Sequence, residues 1–127
     1  MRTPFTLTNK TRNTLPSVPF AVMAEKILGK AYELSVAIVT PDEIQKINLM
    51  YRNKDEPTDI LSFPLSENQG EIYLCPEEIK KESVKFDRSY ENFFAFVFIH
   101  GCVHLKGYDH GGTMEGIEAQ FRNTFGI

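Results

Sequence analysis

The stretch SYENFFAFVFIHGCVHL, residues 89–105, contains the most apolar run of the chain and ends on two closely spaced histidines. A run of this length and composition predicts a long buried helix over residues 89–105. Its apolar centre, residues 93–99, is too short to cross a bilayer, so we expect it to lie in the core of a globular domain.

The remaining sequence predicts strands interspersed with helices. Short apolar or β-branched runs predict strands at 3–8, 33–40, 59–65 and 70–75, the last two joined as a hairpin by the turn residues 66–70. Helical spacing of apolar residues predicts a helix over 18–28, which Gly29 would end, and a second that Thr40 would cap, with Glu43 completing a capping box.

Two further apolar faces complete the set of elements. The helix after Thr40 would bury Ile44, Ile47 and Tyr51, and a closing helix is expected from near Thr113, marked by Met114, Ile117, Phe121 and Phe125. These elements predict an α/β (α+β) fold, a single domain over residues 1–127 with a small mixed sheet, a buried central helix and flanking helices. We expect a metal site in a cleft of this domain.

The composition limits the classes of protein that the chain can represent. Its 127 residues carry a formal net charge of −3, so an RNA or DNA partner would have to be held by a local basic patch. Only two cysteines are present, Cys75 and Cys102, which is too few for a disulfide scaffold and typical of a reduced cytosolic setting. The N-terminal residues contain no apolar run that would serve as a signal peptide.

All three histidines of the chain lie in HGCVHLKGYDH, residues 100–110. His100 and His104 are four residues apart on the predicted helix, so both imidazoles would project from one face, as ligands of one zinc ion do. A glycine at position 107 would end the helix in a left-handed conformation and bring His110 round as a third ligand. Three protein ligands leave one position open for water, which is the arrangement of a catalytic zinc site.

The neighbours of these histidines leave several roles open. Asp109 would either orient a ligand or water, or be an ordinary solvated loop residue. Cys102 would point to the far side of the helix, where it would be a small buried residue. The histidine spacing also matches the metzincin protease signature, but Gly101 stands where those proteases have their catalytic glutamate, which argues against peptide hydrolysis.

Two segments of this chain resemble the YbeY family of bacterial ribosomal-RNA maturation factors. Residues 100–110 match the family signature H-G-x-(L/V)-H-L-x-G-Y-D-H, and YRNKDEPTDILSFP, residues 51–64, is similar to Y-R-x-K-D-x-P-T-D/N-V-L-S-F-P. The resemblance runs from about Asp42 to the end of the chain, and it includes Gly70-Glu71-Ile72 and the helix from Met114. Residues 77–92 carry no part of it.

The resemblance implies a zinc-dependent, single-strand-specific endoribonuclease that acts in small-subunit (16S) ribosomal RNA 3′ end maturation and in ribosome quality control. It further implies a cytoplasmic protein whose partners are single-stranded and ribosomal RNA and the small ribosomal subunit with its associated proteins, and no membrane. By position, His100, His104 and His110 would bind one zinc ion, and Arg52 would be the catalytic arginine.

The sequence indicates the residues that would bind RNA less specifically than it indicates the histidine site. Lys54 and Lys106, with Arg12, would supply local positive charge, and Tyr108 and Phe63 are candidates for base stacking that packing explains equally simply. Two alternatives stay open at this point. The chain would be a metal-dependent hydrolase of another substrate, or a non-enzymatic ribosome-associated protein with a structural zinc.

Overall fold

The computed structural model describes residues 4–107 and 112–127, and its four strands form one mixed sheet. The strands are β1 (Phe5–Asn9), β2 (Glu33–Ile38), β3 (Ile60–Ser66) and β4 (Gln69–Leu74), in the spatial order β1-β2-β4-β3. β1, β2 and β4 run parallel to one another, whereas β3 pairs antiparallel with β4 as the predicted hairpin. β3 therefore lies at an edge of the sheet, with one side unpaired among the described strands.

The helices begin and end at residues that the sequence marks. They are α1 (Phe20–Leu28), α2 (Pro41–Arg52), α3 (Pro76–Lys85), α4 (Tyr90–Leu105) and α5 (Gly112–Phe125). The Thr40 hydroxyl accepts a hydrogen bond from the Glu43 amide at 3.3 Å, as predicted, and the carboxylate of Glu43 lies 3.6 Å from Lys10 Nζ. Gly29 ends α1 with a φ of +96°, which a residue without a Cβ adopts easily.

The predicted fold class is confirmed, and so is each predicted element, with small shifts at the ends. α1 begins two residues after its predicted start, and β2 ends two residues before its predicted end. α3 was not predicted, because all but its first residue lies in the segment 77–92, where the sequence showed neither a motif nor a clear apolar face. Pro76 at its first position, after the extended residue Cys75, is a start signal of the kind that the prediction used at Pro41.

Helix α4 lies at the centre of the core, as predicted. Phe94, Phe98 and Ile99 are completely buried, and they belong to one cluster with the residues of α1 and with alternate residues of β2 and β4. The intervening strand residues belong to a second, smaller cluster that includes Ile44 of α2 and Leu61 of β3. Because successive residues of a strand point to opposite faces, α4 and α2 cover opposite faces of the sheet.

One core prediction was wrong. Tyr51 shares a helix face with Ile44, but its side chain is 67% exposed. It lies in the last turn of α2, where its ring contacts that of Phe63 with centroids 5.4 Å apart.

Within the described ranges, no helix is both long enough and apolar enough to cross a membrane.

Candidate active site

His100 and His104 lie one turn apart near the C-terminal end of α4. Both are half-buried, whereas Ile99, Cys102 and Val103 between and beside them are completely buried. Phe96, one turn before His100, is half-buried as well. These positions form a line along α4 that faces away from the sheet, so the two imidazoles are neighbours on the same side of the helix, as predicted.

A carboxylate from α5 lies against the first of these imidazoles. Nδ1 of His100 is in direct contact with Oε1 of Glu118, whose side chain is 8% exposed. The other carboxylate oxygen, Oε2, lies 3.9 Å from Nη1 of Arg122. The guanidinium of Arg122 in turn lies over the Phe96 ring, 4.9 Å from its centroid. The Nδ1 side of His100 therefore contacts Glu118, which is paired with Arg122, and Arg122 packs on α4 through Phe96.

Sequence reasoning did not select Glu118 as a site residue. A signal was available, because Glu118 lies one helical turn after Met114, which is 1% exposed. A carboxylate on the apolar face of an amphipathic helix must be paired, since an isolated buried charge is strongly unfavourable.

Gly101 shows why this helix carries no glutamate beside its first histidine. A Cβ at this position would lie 2.6 Å from Cδ1 of Ile60 and 2.9 Å from Oγ of Ser62. The Ser62 hydroxyl also donates to the Gly101 carbonyl at 3.4 Å. Position 101 therefore faces β3 in close contact, which leaves no space there for a proton-accepting side chain like that of the metzincins.

The end of α4 has the predicted left-handed glycine. Gly107 has a φ of +105°, and its amide donates to the His104 carbonyl at 3.1 Å. Lys106, the residue before it, donates from Nζ to the carbonyl of Ile27 at 3.1 Å, which ties the end of α4 to the end of α1. The predicted third ligand, His110, lies outside the described residues, as do Asp109 and Tyr108.

The described side chains fit a zinc ion in their chemistry. Zinc takes neutral imidazole nitrogens, and a ligand histidine commonly donates its other N–H to a carboxylate, as the contact of His100 with Glu118 would allow. In residues 4–107 and 112–127, no three side chains among His, Cys, Asp and Glu are grouped closely enough to hold a metal ion. His100 and His104 are the described members of the predicted ligand set.

Arg52 is the last residue of α2, and its side chain is exposed. Its guanidinium carbon lies 5.9 Å from the centroid of the Phe63 ring. Phe63 follows Ser62 on β3, so the two side chains point to opposite faces: Phe63 towards α2 and Ser62 towards Gly101 of α4. Arg52 therefore lies at the end of the helix that covers the face of the sheet opposite to α4.

The other predicted RNA contacts lie at the surface. Lys54 is exposed in the loop after α2, where Asn53 ends the helix with a φ of +58°. Arg12 is exposed after β1, and Lys106 is exposed although its ammonium is bonded to Ile27. Contact of these residues with RNA stays a prediction.

A largely apolar cavity of about 360 Å³ lies between α1 and the first two strands. Its lining includes Phe5, Ala24, Leu28 and Leu34, and none of the sequence-predicted site residues. The candidate site is therefore separate from this cavity.

Comparison with known proteins places these features in one family. A family model described as endoribonuclease YbeY matches residues 5–124. A protein named endoribonuclease YbeY from Lactobacillus gasseri is 30% identical, with 95% of this chain and 84% of that protein covered. Its namesake from Staphylococcus saprophyticus is 36% identical, with 85% of this chain and 81% of that protein covered.

A solved structure is similar along nearly the whole chain. The solution structure of TM1509 from Thermotoga maritima matches with a TM-score of 0.63 at 28% sequence identity, covering 95% of this chain and 90% of that one. The match of the family model over most of the sequence, together with these relatives, shows that the chain belongs to the endoribonuclease YbeY family.

Proposed function

We propose that this protein is a zinc-dependent endoribonuclease that cuts phosphodiester bonds in single-stranded RNA. The observation that carries the proposal is the pair His100 and His104, adjacent on one side of α4 with a carboxylate behind the first ring, in a chain of this family. The proposed setting is the cytoplasm, in 16S ribosomal RNA 3′ end maturation and ribosome quality control. The proposed partners are ribosomal RNA and the small ribosomal subunit with its associated proteins.

His100, His104 and His110 would hold one zinc ion. When bound, zinc supplies a Lewis acid next to the phosphate and makes water a better nucleophile near neutral pH. Gly107 contributes the turn that lets the chain leave α4 after the second ligand, because its φ of +105° is accessible to glycine at little cost. Glutamate-assisted peptide hydrolysis of the metzincin type has no counterpart here, since position 101 is a buried glycine.

Arg52 would stabilise the negative charge that develops on the phosphate. Its planar guanidinium presents paired donors suited to phosphate oxygens, and it is exposed at the end of α2. The contact with Phe63 would limit the freedom of the side chain before RNA binds. Lys54 and Lys106 would add local positive charge to a chain that is acidic overall.

The attacking group would be either water or the 2′-hydroxyl of the RNA. Attack by the 2′-hydroxyl leaves a 2′,3′-cyclic phosphate and fails when the nucleotide before the cut is 2′-deoxy. Attack by water does not need that hydroxyl. Analysis of product ends, with one 2′-deoxy substitution at the mapped cut site, therefore identifies the nucleophile.

The experiment that tests the proposal compares cleavage of an end-labelled RNA in single-stranded form and after annealing to its complement. The wild-type chain and His104→Ala, purified in parallel, are assayed with and without a chelator. We expect cleavage of the single strand by the wild type alone, and its loss with the chelator. Equal cleavage by His104→Ala would indicate a contaminating nuclease and contradict the proposal. RNA binding with zinc present but without cleavage would favour a non-enzymatic role with a structural zinc.

A further inference from the structure

We infer that Glu118 is a positioning residue that fixes the orientation and the protonated nitrogen of His100. This inference rests on the proposed zinc site, which it extends by one residue from α5. Oε1 of Glu118 is in direct contact with Nδ1 of His100, on the opposite side of the imidazole from Nε2. Of the two neutral tautomers of the imidazole, a carboxylate there favours the one with its proton on Nδ1, in which Nε2 carries the lone pair that a metal requires.

The burial of Glu118 supports a specific role for its charge. The residue is 6% exposed and lies on the same face of α5 as the buried Met114. A leucine would satisfy a purely apolar helix face, whereas a carboxylate at this position has to be compensated by its neighbours. In the described part of the chain, the side chains that approach its two oxygens are those of His100 and Arg122.

Arg122 and Phe96 support the carboxylate from the other side. Nη1 of Arg122 is 3.9 Å from Oε2 of Glu118, and the guanidinium lies over Phe96. Phe96 precedes His100 by one turn of α4. These contacts therefore form a group that begins at Phe96 and ends at His100, both on α4, and that passes through Arg122 and Glu118 on α5. The orientation of the imidazole is thus coupled to the packing of α5 on α4.

The same geometry separates this role from that of a general base. Glu118 contacts the Nδ1 side of His100 and is nearly inaccessible to solvent, so its carboxylate is directed at the ring and not at a substrate. A positioning role requires a hydrogen-bond acceptor, which a glutamine can partly supply. A proton-transfer role requires an ionisable group, which a glutamine lacks.

The test uses the metal-free chain with Glu118→Gln, Glu118→Leu and the control Glu115→Leu. Glu115 is an exposed carboxylate on the same helix, so its removal changes the charge of α5 without touching His100. Nitrogen NMR of the imidazoles reports which ring nitrogen of His100 carries the proton. Zinc affinity is measured in competition with a chelating dye, and circular dichroism confirms that each variant is folded.

We expect the wild type and Glu115→Leu to have the proton on Nδ1, and Glu118→Leu to shift it towards Nε2 with a zinc affinity roughly 10–100-fold lower. Glu118→Gln should keep the Nδ1 proton and lose less affinity. An unchanged His100 tautomer in Glu118→Leu would overturn the inference. If the wild type binds no zinc, the proposed function fails, while the tautomer measurement still decides the role of Glu118.

Discussion

The Ser62 hydroxyl on β3 donates to the Gly101 carbonyl on α4 at 3.4 Å. This contact joins the edge strand to the helix at the residue next to the first histidine. It exists because position 101 has no side chain, which lets α4 approach β3 closely. The same absence removes the glutamate that a metzincin carries at this position, so one residue both allows the close helix–sheet contact and leaves no carboxylate beside His100 on this helix.

Gly101→Ala should lower the free energy of unfolding by about 1 kcal/mol. The added methyl overlaps Ile60 and Ser62, at a cost of roughly 1–3 kcal/mol, and the higher helix propensity of alanine offsets about 1 kcal/mol of it. Gly116→Ala is the matched control, because a methyl group on this glycine of α5 would enter open space. Urea unfolding should show the control unchanged or up to about 1 kcal/mol more stable. Equal effects of both substitutions would contradict the close contact at Gly101.

Gly107→Val should lower both stability and zinc affinity. Among the described residues, no atom lies within 4 Å of a Cβ at this position, so the cost comes from the φ of +105°, which β-branched residues rarely adopt. Gly29→Val is the matched control, with a φ of +96°, equally open surroundings and a position at the end of α1. Thermal unfolding should show similar losses for both, of about 1–3 kcal/mol. A normal zinc affinity in Gly107→Val would show that the turn does not serve the metal site.

Arg52→Ala should slow RNA cleavage. We expect a loss of roughly 2–4 kcal/mol of transition-state stabilisation, by analogy with the removal of one oxyanion-hole donor. Zinc content and stability should stay nearly unchanged, because Arg52 is exposed and its side-chain contact within the described ranges is the packing on Phe63. Arg52→Lys should recover part of the rate, since an ammonium keeps the charge without the planar fork. Lys46→Ala, an exposed cation of the same helix, is the control and should cleave normally. A wild-type rate in Arg52→Ala would remove this residue from the mechanism.

Cys75 and Cys102 should resist alkylation in the folded protein. Both thiols are free and completely buried, and burial raises the pKa of each above its ordinary value, so little thiolate is present at neutral pH. Mass spectrometry after brief iodoacetamide treatment should find no label in native buffer and two labels in denaturant. Rapid labelling of Cys102 in native buffer would contradict its position in the core.

The sequence predicted the positions of the site residues on α4 better than those of the residues that pack around α4. The spacing of His100 and His104 defines their geometry, because a helix has one period and its four-residue neighbours always meet. The contact of Glu118 with His100 joins two helices, and such a pairing depends on how α5 packs on α4, which local periodicity does not reveal. A charged residue one turn from Met114 was the available clue.

The position of Arg52 relative to the histidines could be predicted only in part, because it depends on tertiary structure as well as on local structure. The helix that ends at Arg52 was predicted from its cap at Thr40 and its apolar spacing. That α2 and α4 cover opposite faces of the sheet is evident from the two separate clusters to which they belong, and no motif encodes this arrangement. Helix α3 was missed because only Ile79 and a few small or polar residues of that segment are buried.

The proposed zinc dependence is tested most directly by a zinc titration of the metal-free chain, with cleavage of a single-stranded RNA as the readout. We expect no cleavage without metal and a rate that rises linearly and reaches its maximum at one zinc per chain, with no recovery in His104→Ala. Full activity of the metal-free chain, or equal recovery of His104→Ala, would contradict it.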